Sequence, residues 1–193
     1  GHGESSTAAL TTPPSYIGTY AADDFALKIS ANIVHVEWYG SYAFNQKLGG
    51  ASQFLIAFEA DAPANIFGPS HPGAPILSQI VTLGALNPGS GTFIETPIAS
   101  AGATQLYHYQ AELAIPFSAS ANTSYWLKIV ALNHQKNDGG TYLWNWQVRD
   151  YGIENAQAPV APAVTPGESL LAGSVWHFQD ASVTGSVQVT PLI

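Results

Sequence analysis

Apolar and polar residues alternate along several short segments of the chain, and this period of two predicts β-strands. In residues 33–42, for example, Val34, Val36 and Trp38 fall on one face and polar residues fall on the other. No segment has the i, i+3, i+4, i+7 apolar spacing of an amphipathic helix. The other segments predicted as strands are residues 53–59, 76–83, 105–113, 124–131, 141–148, 174–178 and 183–189.

Clusters of Gly, Pro, Asn and Asp separate these segments and indicate turns, because each of these residues favours a turn conformation. The Asn-Asp-Gly-Gly sequence at residues 137–140 lies between two aromatic-rich segments and is the best hairpin candidate. Short strands at this spacing predict an all-β fold of two packed antiparallel sheets, a jelly-roll β-sandwich. We expect one such domain to span Ala21 to Ile193.

Residues Gly1 to Tyr20 form a separate segment that is rich in Gly, Ser, Thr, Ala and Pro. Pro13 and Pro14 exclude a helix there, and we expect an extended arm. Such an arm can add as a strand to an exposed sheet edge of a neighbouring copy, and repeated head-to-tail addition would give a filament. The alternative is a disordered tail.

Composition narrows the classes of partner. The 193 residues carry a formal net charge of −8, with 5 Lys+Arg against 13 Asp+Glu. Nucleic acid and anionic membrane surfaces are therefore poor partners, because both require clustered Lys and Arg. Divalent cations and neutral ligands such as sugars fit this balance better.

A low charge content indicates an extracellular location. Only 9% of the residues are charged, and Cys is absent. No apolar run reaches the roughly 20 residues that a membrane-spanning helix needs. We expect a secreted or cell-surface protein whose signal peptide has been removed.

Six phrases of the sequence are distinctive when they are taken in their order. They are Ala22 to Phe25, Val36 to Tyr42, Phe54 to Asp61, Ser70 to Gly73, Tyr125 to Ala131 and Trp176 to Asp180. Together they resemble a group of secreted bacterial proteins that carry PEP-CTERM sorting signals processed by an exosortase. The resemblance implies a jelly-roll protein of the cell surface or extracellular matrix, often in organisms that make exopolysaccharide, and it implies no catalytic residue.

Three carboxylates form a candidate metal site. Asp23 and Asp24 precede the first predicted strand of the domain, and Asp180 precedes the last. The first and last strands of a jelly roll commonly lie side by side, which would bring these carboxylates together. Because Ca²⁺ prefers carboxylate and carbonyl oxygens, we expect a calcium site, unless Asp23 and Asp24 only cap a turn.

The aromatic residues divide into core and surface candidates. Tyr39 and Trp126 fall opposite core positions, so we expect them on the surface, where an aromatic ring can stack on the apolar C–H face of a sugar. The four other tryptophans share faces with apolar residues, which predicts core positions. These are Trp38, Trp144, Trp146 and Trp176.

No pattern of catalytic residues is evident, so we expect a non-enzyme. The six histidines are isolated, and no Gly-x-Ser-x-Gly motif marks a nucleophile. The strand carboxylates Glu37, Glu59, Glu95 and Glu112 are expected to face solvent. The leading hypothesis is an extracellular structural protein that assembles through its arm. The alternatives are a carbohydrate-binding module of the cell envelope or exopolysaccharide, and then a jelly-roll hydrolase or lyase.

Overall fold

The computed structural model describes residues 3–10, 16–43, 50–64, 66, 70–98, 104–133, 143–147, 175–177 and 182–189. These residues contain twelve β-strands and no α-helix, so the all-β prediction is confirmed. None of them belongs to a helix that could cross a membrane. The strands are β1 (Gly3–Ser5), β2 (Thr7–Leu10), β3 (Tyr16–Ala26), β4 (Ala31–Tyr42), β5 (Gln53–Ala62), β6 (His71–Leu83), β7 (Thr92–Pro97), β8 (Leu106–Ala119), β9 (Ser124–Asn133), β10 (Trp144–Gln147), β11 (Val175–His177) and β12 (Ser182–Val189).

Backbone hydrogen bonds join all twelve strands into one sheet, in the order β1-β10-β4-β8-β7-β6-β5-β9-β2-β3-β12-β11. Only the β6–β7 and β2–β9 pairs are parallel among the described strands. In this order β1 and β2 are eight positions apart, but a single residue separates them in the chain. The strands from β1 to β2 in the sheet order therefore form a nearly closed, barrel-like ring. The finer prediction of two separate jelly-roll sheets is not confirmed.

Ser6 closes this ring. Its N–H donates to the carbonyl of Trp144 in β10 at 3.1 Å, and its carbonyl accepts from the N–H of Ala131 in β9 at 2.9 Å. The chain therefore leaves one sheet edge and reaches the other within one residue. Since unpaired buried backbone groups are costly, these two bonds satisfy both edges at the crossing point.

The Ser6 hydroxyl lies where β3 and β9 separate to admit β2. It accepts a hydrogen bond from the N–H of Ala21 in β3 at 2.9 Å and donates to the carbonyl of Ile129 in β9. Ala21 and Ile129 face each other in the β3–β9 register, so the hydroxyl bridges a pair that the incoming strand forces apart. Ser6 is fully buried.

Aromatic rings fill most of the barrel interior. Phe54 is fully buried and meets Trp38, Tyr109 and Trp144 edge to face, at centroid distances of 5.2, 5.2 and 4.9 Å. Such contacts add stability beyond the burial of apolar area. Gly40 makes room for this packing, because a Cβ atom there would overlap the Trp144 ring. The predicted core positions of Trp38 and Trp144 are confirmed.

A polar network lies among these rings. Glu95 accepts hydrogen bonds from the hydroxyls of Tyr42 at 2.7 Å and Tyr109 at 2.8 Å, and Trp144 Nε1 donates to the Tyr109 hydroxyl at 3.0 Å. Burial raises the pKa of both tyrosines, so their hydroxyls stay protonated and act as donors. The network ties β7 to β4 and β8. The prediction that Glu95 faces solvent is therefore wrong.

An irregularity interrupts the pairing of β4 with β8. Ile33 lies opposite Phe117, whereas His35 lies opposite Glu112, so the register shifts at Val34. This bulge turns Val34 outward, and the side chain is 49% exposed. The prediction that Val34 shares the core face is wrong, because strict alternation does not hold across a bulge.

The side chain of Gln79 in β6 binds the backbone of this bulge. Gln79 Nε2 donates to the carbonyl of Ile115 at 2.9 Å, and the N–H of Ile115 donates to Gln79 Oε1 at 3.2 Å. One amide side chain thus satisfies both backbone groups of a residue that has left the β4–β8 ladder.

Part of the predicted N-terminal arm belongs to the sheet of its own chain. Residues 3–5 and 7–10 are strands β1 and β2, and β3 begins at Tyr16, so the expected boundary at Tyr20 falls inside a strand. Residues 87–91 contain a turn, with Gly89 at a φ of 72°. The hairpin predicted at residues 137–140 lies outside the described residues.

Replacing Ser6 with Ala is expected to lower the free energy of unfolding by about 1–3 kcal/mol, because the N–H of Ala21 and the carbonyl of Ile129 lose their partner in a buried site. Urea denaturation followed by tryptophan fluorescence measures the loss. Ser124→Ala is the matched control, since Ser124 is exposed. Equal stability of the two variants would contradict the role of Ser6 in closing the sheet.

Candidate functional site

The ring leaves an opening between β3 and β4, although these strands follow each other in the chain. β3 pairs with β2, β9 and β12, and β4 pairs with β8 and β10, so no described pairing joins the two. A cavity of about 410 Å³, here called the β3–β4 cleft, lies in this gap and has a volume typical of small-molecule sites. Its lining residues are Asp23, Asp24, Phe25, Ile33, His35, Val36, Glu37, Trp38, Tyr39, Phe58, Leu127, Trp146 and Gln147.

Core residues form the inner part of the cleft. Phe58 is 1% exposed and meets Phe25 edge to face, with ring centroids 6.2 Å apart. Trp38 also lines the cleft and is 2% exposed, and its Nε1 has no hydrogen-bond partner. Among the described residues it is the only buried side-chain nitrogen or oxygen without one. An unpaired buried donor of this kind is costly.

Asp23 places a carboxyl group in this apolar surrounding. It lies on the same face of β3 as Phe25, which packs against the core cluster. Burial, and then the charge of Asp24, raise the pKa of Asp23 to about 7, although a hydrogen bond from the Asp24 backbone opposes the rise. Asp23 is therefore a carboxyl group that can donate as well as accept hydrogen bonds near neutral pH.

Ionisable side chains form the outer rim of the cleft. Glu37 bonds His108 Nε2 through one oxygen at 2.9 Å and His35 Nε2 through the other at 3.2 Å. Hydrogen bonds from His108 and then His35 lower the pKa of Glu37, so this carboxylate stays charged. His35 Nδ1 also contacts Glu112 at 2.9 Å. This cluster was not predicted, because it forms only when β4 and β8 pair in the observed register.

Tyr39 extends the rim with an exposed ring. It is 48% exposed and stacks on the His108 imidazole, with ring centroids 4.9 Å apart and planes 20° from parallel. The predicted surface position of Tyr39 is confirmed, and the His108 ring holds it in place. Trp146 of β10 packs against the core and also lines the cleft, so its predicted core position is only partly right.

The prediction that Trp126 is an exposed platform is wrong. Trp126 is 4% exposed, and its Nε1 donates to Asp61 Oδ1 at 2.8 Å. It lies on the outer face of β9, as expected, but this part of the outer face is also buried. Glu59, next to it on β5, is 3% exposed and paired with Lys128, so the solvent-facing prediction for Glu59 is wrong as well.

The calcium prediction for Asp23, Asp24 and Asp180 stays a prediction. As successive residues of β3, Asp23 and Asp24 direct their side chains to opposite faces of the strand. The backbone of Ser182 at the start of β12 lies opposite Asp23, while Asp180 is outside the described residues. Within the described part of the chain, no group of three acidic, His or Cys side chains could hold a metal ion.

Comparison with known proteins places the chain in a family. Residues 5–181 match the family described as Domain of unknown function (DUF7901). The chain belongs to this family. No curated protein and no solved structure matches it. The family description gives no sorting route, so the resemblance to PEP-CTERM proteins stays an expectation.

Replacing Asp23 with Asn is expected to remove a pH dependence of stability. Because the folded-state pKa is raised from 3.8 to about 7, this group favours the folded state less and less as the pH rises from about 4 to 7. At pH 8 the free energy of unfolding of Asp23→Asn should therefore exceed that of the wild type by up to about 4 kcal/mol, and the variant should unfold at a higher urea concentration. At pH 4 the difference should be small.

Urea denaturation of both proteins at each pH unit from 4 to 8 measures this effect. The difference in unfolding free energy should grow with pH up to about 7 and then level off. A difference that is constant across this range would show that Asp23 is not held in an environment that favours its protonated form.

Proposed function

We propose that this chain is an extracellular carbohydrate-binding domain and that the β3–β4 cleft holds a neutral segment of a polysaccharide. The observation that carries the proposal is the composition of the cleft. Aromatic rings of Tyr39 and Trp146 line it together with two hydrogen-bonding groups, the carboxyl groups of Asp23 and Glu37. A site that is mostly apolar with a few placed polar groups is the usual form of a small-molecule site.

Sugars combine the two kinds of surface that this cleft offers. Their C–H faces are apolar and stack on aromatic rings, and their hydroxyl groups both donate and accept hydrogen bonds. The charged Glu37 supplies acceptors, and Asp23 supplies either a donor or an acceptor near neutral pH. The cleft therefore complements a polyhydroxylated ring better than a purely apolar ligand.

Charge favours a neutral sugar. The chain carries a formal net charge of −8, and the carboxyl groups of Asp23 and Glu37 line the cleft. An acidic polysaccharide would be repelled unless a divalent cation intervened. The low content of charged residues and the resemblance to secreted proteins support an extracellular location for such binding.

A second candidate function is glycoside hydrolysis in the same cleft. Asp23 has a raised pKa and Glu37 has a lowered one, and both line the cavity. A glycoside hydrolase uses two carboxyl groups with different pKa values, one as the general acid and the other as the general base. Asp23 would protonate the oxygen of the leaving sugar as the C–O bond breaks, and Glu37 would take the proton from the attacking water.

Replacing Tyr39 with Ala is expected to weaken binding at least tenfold, because the exposed ring loses its stacking contact with the sugar. The ligand is first identified on an array of neutral bacterial and plant glycans, and its affinity is then measured by titration calorimetry. Ile76→Ala is the control, since Ile76 is 52% exposed on β6 and does not line the cleft. Absence of binding to any neutral glycan, or equal loss in both variants, would overturn the proposal.

Incubation of the bound oligosaccharide with the protein separates binding from hydrolysis. A binding domain leaves the oligosaccharide intact over a day, as shown by mass spectrometry. A hydrolase releases shorter sugars, and this release should stop in both Asp23→Asn and Glu37→Gln while the two variants still bind.

A further inference from the structure

Residues Gly3–Ser5, Ser6 and Thr7–Leu10, here called the closing segment, join the two ends of the ring. β1 pairs with β10, and β2 lies between β9 and β3. We propose that the closing segment exchanges between copies of this chain. The segment of one copy then takes the place between β10 on one side and β9 and β3 on the other, here called the slot, in another copy. The partner is therefore a second copy of the same protein.

Backbone hydrogen bonds pair the closing segment with β10, β9 and β3. Its other described contacts come from two small hydroxyl side chains. The Thr7 hydroxyl donates to the Trp144 carbonyl at 2.8 Å and accepts from the Trp144 N–H at 2.7 Å. The Ser6 hydroxyl bridges Ala21 and Ile129. An identical segment from a second copy would make the same bonds, so exchange costs no specific contact.

The connection to the rest of the chain favours release. β2 pairs antiparallel with β3, and Leu10 faces Tyr16, so only five residues of sequence connect the two strands. Their sequence is Thr-Thr-Pro-Pro-Ser. Pro13 and Pro14 lack an N–H, and consecutive prolines favour an extended polyproline conformation. Because an extended preference opposes a tight reversal of the chain, this sequence favours a closing segment that extends away from its own domain.

The slot would require a replacement once it is empty. Without the closing segment, β10 on one side and β9 and β3 on the other would present unpaired backbone groups, together with the buried polar atoms that now bond Ser6 and Thr7. Exposed sheet edges of this kind pair readily with another strand. Mutual exchange would give a closed dimer, and exchange in one direction would give a chain of copies. Both arrangements are products of the same exchange.

A disulfide can trap the exchanged state, because the chain contains no Cys of its own. Ser5 of β1 faces Asn145 of β10, next to the bonded Ser6–Trp144 pair. In an antiparallel ladder, hydrogen-bonded and non-hydrogen-bonded pairs alternate. Ser5–Asn145 is therefore a non-hydrogen-bonded pair, in which opposing Cα atoms lie about 4.5 Å apart. A disulfide can span that distance.

The experiment uses two full-length variants, Ser5→Cys and Asn145→Cys, which are mixed in urea, refolded together at high concentration and oxidised. A disulfide between the two forms only if the closing segment of one copy enters the slot of the other. Non-reducing gel electrophoresis and mass spectrometry should show this mixed dimer. The control is a mixture of Ser5→Cys with Ser124→Cys, since Ser124 is exposed on β9. The yield of the mixed dimer should be at least tenfold higher than the yield of the disulfide dimer in this control. A yield equal to that of the control would overturn the proposal.

The double variant Ser5→Cys with Asn145→Cys on one chain gives an independent check. Oxidised when dilute, it locks the closing segment in its own slot and should remain a monomer in size-exclusion chromatography. Reduction should restore the larger species that the wild type forms after refolding at high concentration. A wild type that refolds only as monomer would also overturn the proposal, whether or not the cleft binds sugar.

Discussion

The architecture depends on pairing two sheet edges through a single residue. A curved sheet that nearly closes still has a first and a last strand, and the backbone groups along these strands must find partners. Here the chain itself crosses the gap at Ser6, giving its N–H to β10 and its carbonyl to β9. The hydroxyl of the same residue fills the fork that the crossing creates between β3 and β9.

The opening of the cleft follows from the same arrangement. Because β3 is paired with β9 and β12, and β4 with β8 and β10, the two strands cannot also pair with each other. The aromatic interior therefore reaches the surface between them, and residues such as Trp38 and Phe58 serve the core and the cleft at once. A cleft built from core residues is largely formed before any ligand arrives, which limits the entropy lost on binding.

Much of the fold could be predicted from the sequence wherever alternation is regular. β4, β5 and β9 were predicted because large apolar residues recur at every second position. β1 and β2 were missed because their small residues give no such pattern, and only pairing with distant strands makes them regular. Pro72 and Gly73 are residues that favour turns, but they lie at the start of β6, because prolines are tolerated at the irregular end of a strand.

The candidate site was only partly predictable for a related reason. Asp23 and Tyr39 were singled out by their chemistry and their place in the pattern, and both line the cleft. Trp126 was misassigned because alternation separates two faces of a strand without showing that both are buried. The unpaired Trp38 nitrogen, like the Glu37 cluster, depends on atoms brought together by tertiary structure.

Gln79 has a consequence for how this barrel can vary. By bonding both backbone groups of Ile115, its side chain acts as a short piece of strand and keeps the wall of the barrel continuous where β8 departs from β4. Pro116 follows at once and has no N–H to satisfy. This stretch can therefore gain or lose residues at little cost while the amide remains. Differences in length among members of the family should collect at this point of the wall.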